Sequence, residues 1–189
     1  MEDASIRNYK DSLIEALQSF KCCKDTDVQD FLNTRAIQFE LRGWATTYLL
    51  FNKEAFSEGK LLVDGYFSLT HKALSFQQDV SNSLRNRLTG SKKSETHAFV
   101  LLGQLGKYIA ETENGTFVSS SLTAKEMLDE AFGIIEQASS LIVDRNIIIE
   151  CKPIEKIQQI YRDYGFTELQ FDGQLHTMYA RLDSTVNFS

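Results

Sequence analysis

The chain has one proline and ten glycines in 189 residues, too few for a collagen-like, proline-rich or glycine-rich architecture. It has three cysteines, two of them adjacent at Cys22 and Cys23 and the third at Cys151. An odd count with no spaced framework excludes a disulfide scaffold and predicts reduced thiols. The three histidines, His71, His97 and His176, are scattered, so no metal site is expected. A basic excess is also missing: Lys and Arg number 20 against 26 Asp and Glu, a net charge of −6. That argues against a general nucleic-acid or membrane-surface binder, although a local basic patch is compatible with it. No apolar run approaches the roughly 18 residues that a membrane-spanning helix needs. The opening "MEDASIRNYKDSL" lacks the apolar centre of a secretory signal. A cytoplasmic location and no membrane partner are therefore expected.

What is present is an ordinary globular balance, 42% apolar and 24% charged. The length suits one domain over 1–189, with residues 1–10 loose. Residues 10–20 are compatible with a short helix or a strand lead-in. Val28, Phe31, Leu32, Ala36 and Phe39 recur at helical spacing after "DTD" and before Gly43. "WATTYLLF" (44–51) and the region 61–76, bent near Gly65, read as strands separated by a turn, "NKEAFSEGK". Residues 81–88 suit a short helix. "HAFVLLGQLGKYIA" (97–110) is a long apolar strand, followed by a loop "ETENGTFVSSS". Met127, Leu128, Ala131, Ile134, Ile135 and Ala138 form the strongest helical stripe in the chain. "NIIIEC" (146–151) has the continuous apolar run of a strand buried on both faces. Ile154, Ile157, Tyr161 and Tyr164 mark one more helix, stopped by Gly165. "FTELQF" and "LHTMYARL" flank Asp172-Gly173 as a hairpin. The order predicts a mixed α/β (α+β) fold, its sheet largely antiparallel, with a parallel pair joined by the helix over 124–139.

Two stretches carry candidate chemistry. In "VSSSLTAKEML", Ser119, Ser120, Ser121 and Thr123 place hydroxyls before a helix whose first N–H groups are unpaired and partly positive. Ala124 allows close approach. Such an entry binds an anion, or it is simply a helix capped by Ser121 or Thr123. In "IYRDYGF", Tyr161 shares a stripe with Ile154 and Ile157. It is a packing tyrosine or a phenol that serves as general acid.

These pieces occur in the order found in one family. Over residues 18–182 the chain resembles the GNAT superfamily of acetyl-coenzyme A-dependent N-acetyltransferases. The C-terminal half carries a long strand, a loop, a helix, a buried strand and a helix ending in Tyr161-x-x-x-Gly165-Phe166. The N-terminal half resembles the GNAT toxins of toxin–antitoxin pairs. Phe20, Cys22, Phe31, Leu32, Ala36, Thr47 and Tyr48 match that subgroup's opening, with Cys23 for its glycine and Lys24 for its asparagine. "LLVDGYFSLTHKAL" and "LLGQLGKY" resemble two further strands of the subgroup, Gly106 standing for an alanine.

The resemblance implies a GNAT fold with the parallel strands splayed at a cofactor cleft, and acetyl-CoA as cofactor. Backbone groups at Leu105, Gly106 and Lys107 would meet the pantetheine arm, and one N–H would polarise the thioester carbonyl. The loop Ser119, Ser120, Ser121, Leu122, Thr123, Ala124 and Lys125 would hold the pyrophosphate. A primary amine would attack the thioester directly, Tyr161 would protonate the departing thiolate, and water would serve as base. The toxin subgroup acetylates the aminoacyl group of charged tRNA, which makes charged tRNA and an antitoxin the implied partners and leaves a homodimer open. Arg42, Arg85, Arg87, Lys92 and Lys93 are the candidate tRNA contacts, with a solvated surface as the alternative. The chain departs from the family's [QR]-x-x-G-x-[GA] loop: Ser119 and Leu122 stand at its first two positions and only Ala124 fits. Cys151-Lys152-Pro153 replace the expected asparagine. Lys107 or Lys125 would supply compensating charge. The degenerate loop supports an alternative, a non-catalytic GNAT-fold binding or regulatory protein.

Overall fold

The computed structural model describes residues 4–139 and 145–182. Six strands form a mixed sheet in the order β1-β2-β3-β6-β8-β7: β1 Thr46–Phe51, β2 Val63–Ser75, β3 Thr96–Lys107, β6 Asn146–Cys151, β7 Thr167–Phe171 and β8 His176–Arg181. β4 (Ile109–Glu111) and β5 (Phe117–Ser119) form a separate hairpin. The helices are α1 Ala4–Ser19, α2 Thr26–Asp30, α3 Ala36–Leu41, α4 Lys53–Ser57, α5 Asn82–Thr89, α6 Ala124–Ser139 and α7 Glu155–Tyr164. β3 and β6 are the parallel pair, and α6 lies between them in the chain, as the pattern requires. The chain divides into two compact units, 1–68 with 104–127 and 69–103 with 128–189.

The first unit is built on aromatic packing. Tyr66 is fully buried; its ring meets Phe20 edge-on at 5.5 Å and stacks on Phe31 at 6.3 Å. Its hydroxyl donates to Val28 O at 2.5 Å, so the buried polar atom is satisfied. Between α2 and α3 the helix widens into a π-helical segment, Phe31–Arg35, a feature that periodicity cannot reveal. The Asn33 side chain there donates to Leu17 O at 2.6 Å, Gln18 O at 3.1 Å and Phe20 O at 3.2 Å. It thereby bonds carbonyls at and just beyond the C-terminal end of α1. α1 itself starts at Ala4, inside the segment the sequence reading leaves loose, and resolves residues 10–19 as helix.

Two segments read as turn and loop are regular. "NKEAFSEGK" contains α4, because Asn52 Oδ1 accepts from Ala55 N at 2.9 Å and caps it. "ETENGTFVSSS" closes the β4–β5 hairpin through Thr112 N to Thr116 O at 2.8 Å, with Gly115 at a φ of +72°.

In the second unit, Leu74, Phe76, Val80, Leu88, Phe99, Ile148, Leu169 and Tyr179 form one cluster. β6 is buried on both faces, with Ile147, Ile148 and Ile149 all inaccessible, as its unbroken apolar run predicts. Lys72 Nζ reaches both carboxylate oxygens of Glu150 at 2.6 Å. The β7–β8 hairpin turns at Asp172-Gly173, where Asp172 Oδ1 accepts from Gln174 N and Leu175 N, each at 2.8 Å.

Candidate functional site

The parallel ladder is short. It runs over Val100–Leu102 against Ile147–Ile149, although β3 continues to Lys107 and β6 to Cys151. The predicted strand residues Leu105, Gly106 and Lys107 thus lie beyond the paired stretch, in the first unit. Gly106 is a packing glycine: an added Cβ would collide with Val28 Cγ1 and stand 3.2 Å from Tyr66 Cε1. That contact explains why the alanine of the resembled pattern is replaced.

The loop 119–124 is also in the first unit, and the donors of Ser120 and Thr123 are bonded within the chain. Ser120 N donates to Tyr108 O at 3.1 Å and Ser120 Oγ donates to Asp64 O at 3.0 Å. The choice between Ser121 and Thr123 as helix cap resolves to Thr123. Glu126 N donates to Thr123 Oγ1 at 3.2 Å, and Thr123 N and Oγ1 donate to Glu126 Oε2 at 2.8 and 2.7 Å. This reciprocal capping box follows directly from "TAKE" and sets a carboxylate at the head of α6. Leu122 fills space: a Cβ on Gly65 would lie 2.7 Å from Leu122 Cδ2. Lys107, expected to offer charge to a phosphate, turns inward and donates to Ser120 O at 3.3 Å and Leu122 O at 3.1 Å. Ser119, Ser121 and Lys125 are exposed and Ala124 begins α6. As placed, Ser120 N, Ser120 Oγ and Lys107 Nζ donate to protein carbonyls, and Thr123 N and Oγ1 donate to a carboxylate.

Tyr161 belongs to the second unit, on α7. α7 stops at Gly165, φ +109°, where Gly165 N donates to Arg162 O at 3.0 Å and Phe166 N to Tyr161 O at 2.9 Å. This paired arrangement is the Schellman stop. It folds Phe166 back so that its ring meets that of Tyr161 at 5.8 Å. The Tyr-x-x-x-Gly-Phe signal is therefore first a helix terminator. The Tyr161 ring is half-buried, and its hydroxyl has no hydrogen-bond partner among the described residues. Burial, then the nearby Cys151 thiol, push its pKa well above the ordinary phenol range. Tyr161 is thus protonated at neutral pH. Cys151 is buried and its own thiol is pushed up by burial, so it is no thiolate nucleophile. Its place beside Tyr161 is not readable from the sequence, which shows it as a reduced thiol at the end of the 146–151 run where the resembled family has an asparagine nearby.

The candidate basic residues divide. Arg42 stacks over Trp44 at 4.7 Å in the first unit. Arg85 donates to Val80 O at 3.0 Å and Gln77 O at 2.7 Å, and Arg87 donates to the Tyr179 hydroxyl, both within the second unit. Lys92 and Lys93 are exposed. A groove of about 530 Å³ between α1, α3 and β1 contains none of the predicted site residues; Leu13, Ile14, Leu17, Ile37, Leu41 and Leu49 line it. Among the described residues no cluster of His, Cys, Asp and Glu is placed to hold a metal, and no helix is long and apolar enough to cross a membrane.

No family model and no curated protein matches the chain. Solved structures do. AtaT complexed with acetyl-methionyl-tRNAfMet is 18% identical, with a TM-score of 0.65 over 87% of this chain and 86% of that one. A mutant of the AtaT toxin bound to acetyl-CoA and the C-terminus of the antitoxin AtaR is 17% identical, with a TM-score of 0.61 over 87% and 84%. A mutant of KacT is 14% identical, with a TM-score of 0.65 over 87% and 86%. The fold is that of the GNAT acetyltransferase toxins: an open six-stranded mixed sheet with one parallel pair, flanked by helices.

Proposed function

We propose that this protein is an N-acetyltransferase that moves an acetyl group from an acyl thioester, acetyl-CoA in the first instance, to a primary amine. The amine of an aminoacyl-tRNA is the acceptor this reading favours, because AtaT, whose fold it shares, has been captured with acetyl-methionyl-tRNAfMet. The observation that carries the reading is Tyr161: a half-buried phenol, held protonated, with no hydrogen-bond partner among the described residues, on the helix that follows the parallel pair.

The acceptor's neutral amine attacks the thioester carbonyl. A C–N bond forms as the C–S bond breaks, and Tyr161 gives its proton to the departing thiolate. Backbone N–H groups along Leu105, Gly106 and Lys107 orient the donor's amide-bearing arm. Water takes the proton that the amine sheds. Like the AtaT mutant, which is solved bound to the C-terminus of the antitoxin AtaR, the protein would bind an antitoxin.

The test is transfer of labelled acetyl from acetyl-CoA to bulk charged tRNA, with small amines and protein N-termini as parallel acceptors. Acetylated aminoacyl-tRNA is the expected product. Absence of transfer to every acceptor would favour a second reading, a non-catalytic binding protein on the same fold, which the self-bonded loop 119–124 supports.

A further inference from the structure

We infer that the acyl donor is recognised through its thioester and pantetheine arm and not through a diphosphate, so that the protein uses acyl-pantetheine thioesters about as well as acyl-CoA. This rests on the acyl-transfer reading above and concerns which donor it accepts.

Three contacts within the first unit carry it. First, the N-terminus of α6 already holds an anion. Glu126 Oε2 accepts from Thr123 N at 2.8 Å and from Thr123 Oγ1 at 2.7 Å. A diphosphate brought to the Thr123 N–H and hydroxyl would have to displace that carboxylate and meet its charge. Second, the loop turns two carbonyls toward Lys107. Lys107 Nζ donates to Ser120 O at 3.3 Å and Leu122 O at 3.1 Å, so its charge is committed to the chain itself. Third, the space that glycines leave open in a phosphate-binding loop is filled. The Leu122 side chain lies against Gly65, and Ser120 Oγ is turned away to Asp64 O at 3.0 Å. Each contact alone is unremarkable. Together they engage within the chain the Thr123 N–H, the Ser120 and Thr123 hydroxyls and Lys107, and add a carboxylate, where a diphosphate would need open donors.

The thioester half of the donor makes no demand on any of these groups. The bond that breaks and the thiol that leaves are the same in S-acetyl-pantetheine and acetyl-CoA, so the chemistry is unchanged. Glu126 is in this account a specificity-determining residue that excludes charge.

Calorimetric titration of the full chain with acetyl-CoA, S-acetyl-pantetheine and adenosine 3′-phosphate 5′-diphosphate tests this. The two thioesters are expected to bind within about threefold of one another, and the nucleotide diphosphate not to compete. Acetyl-CoA binding about 100-fold more tightly than S-acetyl-pantetheine would overturn the inference and leave the acetyltransferase reading standing. Binding of neither thioester at millimolar concentration would overturn both. Glu126→Gln supplies an independent readout, because it removes the charge and keeps an acceptor for Thr123. It should strengthen acetyl-CoA selectively; an equal change for both thioesters would show a structural role only and would count against the inference.

Discussion

Phe166 donates its backbone N–H to the carbonyl of Tyr161 over 2.9 Å, around Gly165 at a φ of +109°. The candidate acid and its helix stop are one device, because the turn that ends α7 also brings the Phe166 ring against the Tyr161 ring. An alanine at 165 would meet no atom, so its cost is backbone strain alone. Gly165→Ala should destabilise the fold by about 1–2 kcal/mol, read as a lowered denaturation midpoint. If the turn also positions Tyr161, the variant loses acetyl transfer beyond what its unfolded fraction explains.

Tyr161→Phe removes one hydroxyl and keeps the ring contact with Phe166. Acetyl transfer should fall by about 10²–10⁴-fold, with thioester affinity nearly unchanged. The wild-type rate should rise with pH as the acceptor amine loses its proton. It should show no falling limb below about pH 10, because burial holds the phenol protonated past the ordinary tyrosine range. A falling limb near neutrality that vanishes in Tyr161→Phe would contradict the raised pKa.

Tyr66, together with Tyr161 and Tyr164, has a raised phenol that bears on the alkaline limit of the fold. Its fully buried hydroxyl is pushed far above the ordinary phenol range, first by burial and then by Cys22 and Asp25. A group whose folded pKa exceeds its unfolded one gives stability below the unfolded value, about pH 10, and loses it as pH rises toward the folded value. Denaturation midpoints should therefore fall above that pH. Tyr66→Phe should flatten the decline while costing about 1 kcal/mol at neutral pH, from the lost bond to Val28 O. An unchanged alkaline slope would remove Tyr66 as a source.

Gly106 is held bare by Val28. Gly106→Ala, the residue of the resembled pattern, should destabilise by about 1–3 kcal/mol through overpacking against Val28 and Tyr66. Val28→Ala in the same chain should recover much of that loss. Simple additivity of the two in chemical denaturation would break the proposed contact.

Several elements were legible because local patterns dictate them. The apolar stripe bounded by Thr123 and the run "AKEML" gives α6 at Ala124–Ser139, and the run "NIIIEC" gives β6 at Asn146–Cys151. Gly165 and Asp172-Gly173 mark a helix stop and a hairpin because positive φ is cheap at glycine. Other features carried weaker signals. The turn and second strand of the β4–β5 hairpin lie in "ETENGTFVSSS", whose polar residues read as loop until the Thr112–Thr116 bonds and Lys24 over Phe117, 4.9 Å from its centroid, are seen. The π-helical turn at Phe31–Arg35 breaks the period by which helices are recognised, and it is what brings Asn33 to three carbonyls.

Local sequence determined the order of elements, because strand runs, helical stripes and glycine stops act over a few residues; the resemblance to GNAT proteins is what singles out Tyr161 as the candidate acid. Only the tertiary structure decided the state of "SSSLTAKE". Its Thr123–Glu126 box is local, but the contacts that close the loop come from Asp64, Gly65, Lys107 and Tyr108, brought there by β2 and β3. Whether a hydroxyl-rich helix entry faces an anion or its own chain depends on those distant partners, since a donor has only as many bonds as it has hydrogens.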